Sequence, residues 1–142
     1  RELLRATFPA LLTGTAPRVP QDHARATTFG GRRPEDGRLA WHRPARALAN
    51  LVRAVTHPYP GAFTTWAGTK LLVWQATPLD APVDTDPGRV TAITPDGIVI
   101  GAGDGGLLLE QVQLEGGTEE RAIDFARRRG IRAGDRFGDA AC

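Results

Sequence analysis

Methionine is absent from these 142 residues, and cysteine, lysine and tyrosine occur once each, as Cys142, Lys70 and Tyr59. One terminal thiol forms no intrachain disulfide and supplies no multi-cysteine zinc site. The three histidines, His23, His42 and His57, fall at no metal-ligand spacing, so no metal site is expected. No apolar run approaches the roughly 18 residues of a membrane-spanning helix, and no signal-peptide pattern opens the chain. No membrane partner is therefore expected, and the cytoplasm is the default compartment. A chain without methionine that opens on Arg1-Glu-Leu-Leu4, inside a helical pattern, reads as a piece of a longer protein. Lys70 beside seventeen arginines reads as a bias of genome composition.

What is present is ordinary in bulk and uneven in distribution. Hydrophobic residues make up 41% and charged residues 24%, the balance of a soluble globular protein. Residues 1–60 carry ten arginines against Glu2, Asp22, Glu35 and Asp36, a net of +6. Residues 61–142 carry eight basic and twelve acidic residues, a net of −4. An anionic partner should therefore meet the first part of the chain.

Leu3, Leu4, Phe8, Leu11 and Leu12 recur at helical spacing between Glu2 and Thr13, which predicts a helix docked on a larger body. Pro44 suits the first position of a second helix, because its missing N–H is not needed there. Leu48, Leu51, Val52 and Val55 supply that helix with one apolar stripe, while Arg46, Asn50 and Arg53 share the other side. Pro58 should end it near Thr56. The pattern then turns extended: Leu71–Ala76, Gly88–Thr94, Ile98–Gly101 and Leu107–Leu114 read as short strands, pointing to a small barrel or sandwich. A last helix is expected from Thr118 to Arg129, with Thr118 as cap, Glu119 and Glu120 in the first turn, and Gly130 as the stop.

Several motifs carry chemistry on paper. Gly101-Ala-Gly103-Asp-Gly105-Gly106 satisfies a dinucleotide fingerprint, but the helix such a site requires does not follow. A hairpin turn is the reading adopted. Arg127-Arg128-Arg129 reads as a solvated helix end whose charges suit the local dipole. His57 has no carboxylate or nucleophile near it in sequence, so it makes a poor general base. Trp41, Trp66 and Trp74 read as core or interface anchors. Arg32 and Arg33 differ from these, since two guanidinium groups beside glycines can reach a phosphate bidentately. On spacing alone a solvent-exposed turn pairing them with Glu35 and Asp36 is the more ordinary reading.

Ala26-Thr-Thr-Phe-Gly30, Arg33-Pro-Glu-Asp36, Trp41-His-Arg-Pro-Ala45, Asn50-Leu-Val-Arg-Ala-Val55 and Pro58-Tyr-Pro-Gly-Ala-Phe63 together resemble the domain junction of 10-formyltetrahydrofolate-dependent formyltransferases. Leu71–Ala76 looks like the first strand of that family's C-terminal domain, and Gly130–Gly138 is similar to its ending. The resemblance implies an α+β architecture: residues 1–33 as the end of a Rossmann-like catalytic domain, and 34–142 as an OB-like β-barrel domain with its linker helix. It places the family's catalytic Asn, His and Asp, and most of the 10-formyltetrahydrofolate pocket, upstream of Arg1. No catalytic residue is thus expected in this chain. Among the family's branches, Phe29–Arg33 and Trp41–Ala45 look most like the enzyme that formylates UDP-4-amino-4-deoxy-L-arabinose. A nucleotide-sugar substrate contacted by Arg32 and Arg33 is the implied reading, although Gly31 is an extra residue relative to that branch. Two alternatives stand beside it. One is a methionyl-tRNA formyltransferase, disfavoured by the acidic balance of residues 61–142. The other is a stand-alone OB-like binding module.

Overall fold

The computed structural model describes residues 2–28, 30–31, 33–79 and 86–138. Contacts divide the chain into two compact units, residues 1–31 and 32–142. The first holds helix α1, Glu2–Leu12, and a 3-10 turn at His23–Arg25. No residue of α1 is buried, and Leu3, Leu4, Phe8, Leu11 and Leu12 are all more than half exposed.

The second unit contains the core, which runs from Leu39 to Phe137. A 3-10 turn at Pro34–Gly37 leads into helix α2, Ala45–Val55. Six antiparallel strands follow: β1 Ala62–Trp66, β2 Thr69–Leu79, β3 Val90–Thr94, β4 Gly97–Gly101, β5 Gly106–Leu114 and β6 Glu119–Arg121. Helix α3, Ala122–Arg129, comes last. The strands hydrogen-bond in the order β1-β2-β5-β4-β3, with β6 also against β5. The architecture is therefore a mixed α/β fold built on one antiparallel sheet.

The C-terminal segment ties the two ends of that path together. Phe137 N–H donates to Gly88 O beside β3 at 2.8 Å, and Gly138 N–H donates to Thr65 O of β1 at 2.9 Å. Asp135 O accepts from Val90 N–H at 2.8 Å. These bonds give backbone groups on the β1 and β3 edges partners that a free sheet edge would lack.

Helix α2 buries Ala45, Leu48, Ala49 and Val52 and packs mainly on β2. Those positions follow the 3–4 spacing read from the sequence. Pro44 is the N-cap, one position earlier than expected: its ψ of 140° is extended, and its carbonyl accepts from Ala47 and Leu48 N–H. Thr56 ends the helix as expected. The four strands read from the sequence are present, and two more were missed. β1 was hidden because its hairpin turns on Ala67 and Gly68, both at positive φ, rather than on an Asn-Gly or Asp-Gly pair.

The expected helix start at Thr118 is corrected. Glu119–Arg121 pairs with Gln111–Gln113 as β6, and α3 begins at Ala122. Two glutamates after a threonine mimic a helix entry, yet the backbone groups here are satisfied by β5. The expected end is correct: Gly130 adopts φ 67° and donates its N–H to the last turn.

Candidate functional site

Arg32 lies outside the described residues. Arg33 opens the 3-10 turn in extended geometry, and its backbone N–H donates to Asp36 Oδ2 at 2.8 Å. The Asp36 carboxylate is thus engaged with the backbone, and the Arg33 guanidinium has no hydrogen-bond or ion-pair partner among the described residues. The sequence left open a pairing of Arg33 with Glu35 or Asp36 side chain to side chain; no such pair forms.

Arg33 stands on the wall of a groove of about 610 Å3, bounded by the 3-10 turn, the end of α2 and the Tyr59-Pro60-Gly61 hinge. The apolar lining comes from Pro34, Ala54, Val55 and Pro60. Its volume is within the roughly 300–1,000 Å3 common for small-molecule sites. Tyr59 is 62% exposed, and its hydroxyl also has no partner among the described residues. Two glycines hold the base of the groove. A Cβ on Gly37 would come within 2.7 Å of Gly61 O, and one on Gly61 would meet the Trp74 ring at 2.8 Å.

Trp74 organises the hinge from the sheet side. It falls at the register shift between β2 and β5, so its backbone steps out of the ladder there. Thr56 Oγ1 donates to the Trp74 carbonyl at 3.0 Å, and Trp74 Nε1 donates to Gln113 Oε1 at 3.0 Å. His57 stacks on the Trp74 ring, with centroids 3.8 Å apart and planes 14° from parallel. Glu119 Oε2 lies 3.2 Å from His57 Nε2. Sequence reasoning could not have found this carboxylate, because it arrives from β6, sixty-two positions away. Both side chains are exposed, and the contact joins the hinge to β6.

The glycine-rich Gly101–Gly106 segment forms the β4–β5 hairpin, as read from the sequence. It also has a use that was missed. Asp104 Oδ1 accepts from Ala45 N–H at 2.8 Å, capping α2 from a distant loop. Gly103 N–H donates to Arg43 O at 3.0 Å, and a Cβ on Gly103 would lie 2.1 Å from His42 O. The hairpin therefore clamps the entry of α2 rather than a pyrophosphate.

Trp41 is buried and donates from Nε1 to Thr64 Oγ1 at 3.1 Å; Trp66 stacks on Phe137. Arg127, Arg128 and Arg129 are exposed at the end of α3. Arg128 pairs with Glu120, and Arg129 sits over the Phe125 ring. Among the described residues no group of three or more metal-ligating side chains comes together. No helix among them is long and apolar enough to cross a membrane.

One antiparallel sheet with helices packed on it agrees with what comparison with known proteins finds. The family model for the formyl transferase C-terminal domain matches residues 32–130. The chain belongs to that family. Among solved structures, a multiply substituted variant of HypX from Aquifex aeolicus is similar over 93% of this chain and 24% of its own, at 18% identity and a TM-score of 0.61. HypX from the same organism in complex with tetrahydrofolic acid is similar over 88% of this chain and 22% of its own, at 19% identity and a TM-score of 0.58. At such identities the likeness speaks for the fold. This chain spans about a quarter of those proteins' length.

Proposed function

We propose that this chain is the C-terminal portion of an N-formyltransferase that moves a formyl group from 10-formyltetrahydrofolate to the amine of a nucleotide-linked amino sugar. The observation that carries the reading is the family match beginning at residue 32, where the Arg33 turn opens the groove. In this reading residues 1–33 close the catalytic domain, and the exposed apolar face of α1 packs on the remainder of that domain. Residues 34–142 form the OB-like domain with its linker helix, a reading supported by the 135–138 segment that bonds to both sheet edges.

In this reading the 10-formyltetrahydrofolate site lies mainly in the domain upstream, and every buried side-chain polar atom among the described residues already has a partner. The catalytic Asn, His and Asp belong upstream as well. What this chain contributes is a cation for the nucleotide phosphates. Changing Arg32 and Arg33 together to Ala in the full-length enzyme is expected to weaken UDP binding at least tenfold, with folate binding little altered. Unchanged UDP affinity would remove the arginine pair from the site.

A methionyl-tRNA formyltransferase is the second reading, favoured by the exposed Arg46 and Arg53 on α2, two turns apart, and by exposed Arg43 just before it. Exposed guanidinium groups suit a phosphate backbone. Retention of initiator tRNA by the 142-residue chain, with the steep salt dependence of counterion release, would favour it over the sugar reading.

A further inference from the structure

We infer that the groove between the Pro34–Gly37 turn and the hinge is a nucleoside subsite, in which Tyr59 stacks on the base while Arg33 holds the phosphate. This rests on the nucleotide reading of the arginine pair and extends it to a residue outside that pair. Three observations support it. The groove presents one cationic and one phenolic tip, and neither has a partner among the described residues. Asp36, the carboxylate that also lines the groove, is engaged by the Arg33 backbone N–H. The rest of the lining is apolar, from Pro34, Ala54, Val55 and Pro60, apart from two glycines and Asp36.

A ligand matching that arrangement carries a flat ring at one end and an anion at the other. A ring laid on Tyr59 gains stacking that tolerates any base, worth about 1–3 kcal/mol where measured for bases on aromatic side chains. A phosphate at Arg33 gains a charge-assisted bond to a guanidinium that gives up no existing ion pair among the described residues. The backbone that carries Tyr59 is held by the hinge. Tyr59 N–H donates to Thr56 O at 3.1 Å, and Gly61 N–H donates to Val55 O at 2.9 Å. The wall is therefore pre-formed, which lowers the ordering cost of binding.

Tyr59 is the single tyrosine, so its ring resonances report on the groove without ambiguity. The 142-residue chain would be titrated with UMP, uridine and pyrophosphate, following the Tyr59 ring and the Arg33 side chain by NMR. UMP should move both, uridine chiefly Tyr59, and pyrophosphate chiefly Arg33. Tyr59→Ala should abolish uridine shifts at the groove and weaken UMP binding at least fivefold, while leaving pyrophosphate binding unchanged. Tyr59→Phe should retain UMP. If pyrophosphate and UMP both act on Arg33 while Tyr59 stays silent, the nucleoside subsite is overturned and the arginine reading survives. If none of the three ligands moves either residue, both fall.

Discussion

At the residue scale, the positions that matter most are those where a side chain or its absence serves a distant segment. Asp104 belongs to the β4–β5 hairpin but satisfies Ala45 N–H, one of the orphan donors at the start of α2. Pro44 cannot do this with its own side chain, so the cap comes from elsewhere. Asp104→Ala should destabilise the folded chain by about 1 kcal/mol, the usual cost of losing a cap. Asp104→Asn should recover most of that in urea denaturation. Gly103 is a harsher case, because any Cβ there drives into the His42 carbonyl and the backbone must move. Gly103→Ala is expected to cost at least about 2 kcal/mol by the same measurement, in the range of overpacked or strained sites. An unchanged denaturation midpoint in Gly103→Ala would contradict the clamp between hairpin and helix.

At the element scale, the 118–129 region separates local preference from tertiary placement. Thr118-Glu119-Glu120 carries every local mark of a helix entry, but β5 offers Gln111–Gln113 as an antiparallel partner, and the segment is extended. Thr118→Ala should consequently change stability by less than about 0.5 kcal/mol, as for an ordinary surface position. A loss near 1 kcal/mol would restore Thr118 as a cap. The same contrast explains what could and could not be read in advance. Helix α2 was legible because a 3–4 apolar stripe and two bounding prolines agree. The strands β2 to β5 were legible because apolar and β-branched runs alternate with turn clusters. β1 was not, since Ala67 at positive φ is a poor turn signal. Of the candidate site, Arg33 was visible in the sequence and Tyr59 was not singled out, because a groove is a property of three segments meeting. The His57–Glu119 contact and the Asp104 cap were hidden for the same reason.

At the scale of the whole molecule, the uneven exposure of apolar residues matches the division into two units. Among the described residues the buried core falls between Leu39 and Phe137, while six of the seven large exposed hydrophobics precede residue 20. Residues 32–142 thus contain a complete core of their own, with α2 and α3 both packed on the sheet. A polypeptide of residues 32–142 is expected to unfold in one cooperative transition, as single domains of this size usually do. The first unit should behave differently. Leu3, Leu4, Phe8, Leu11 and Leu12 form an exposed apolar surface on α1, and such a surface calls for a cover. In the proposed enzyme that cover is the rest of the catalytic domain. Phe8→Glu should then leave the transition of the 32–142 unit unmoved in the isolated chain. In the full-length enzyme it should lower the stability of the catalytic domain by about 3 kcal/mol or more, the scale of losing a buried phenylalanine and burying a charge in its place. Hydrogen exchange on the two proteins would resolve the units separately. Equal protection of the catalytic domain with and without the substitution would show that α1 covers something else.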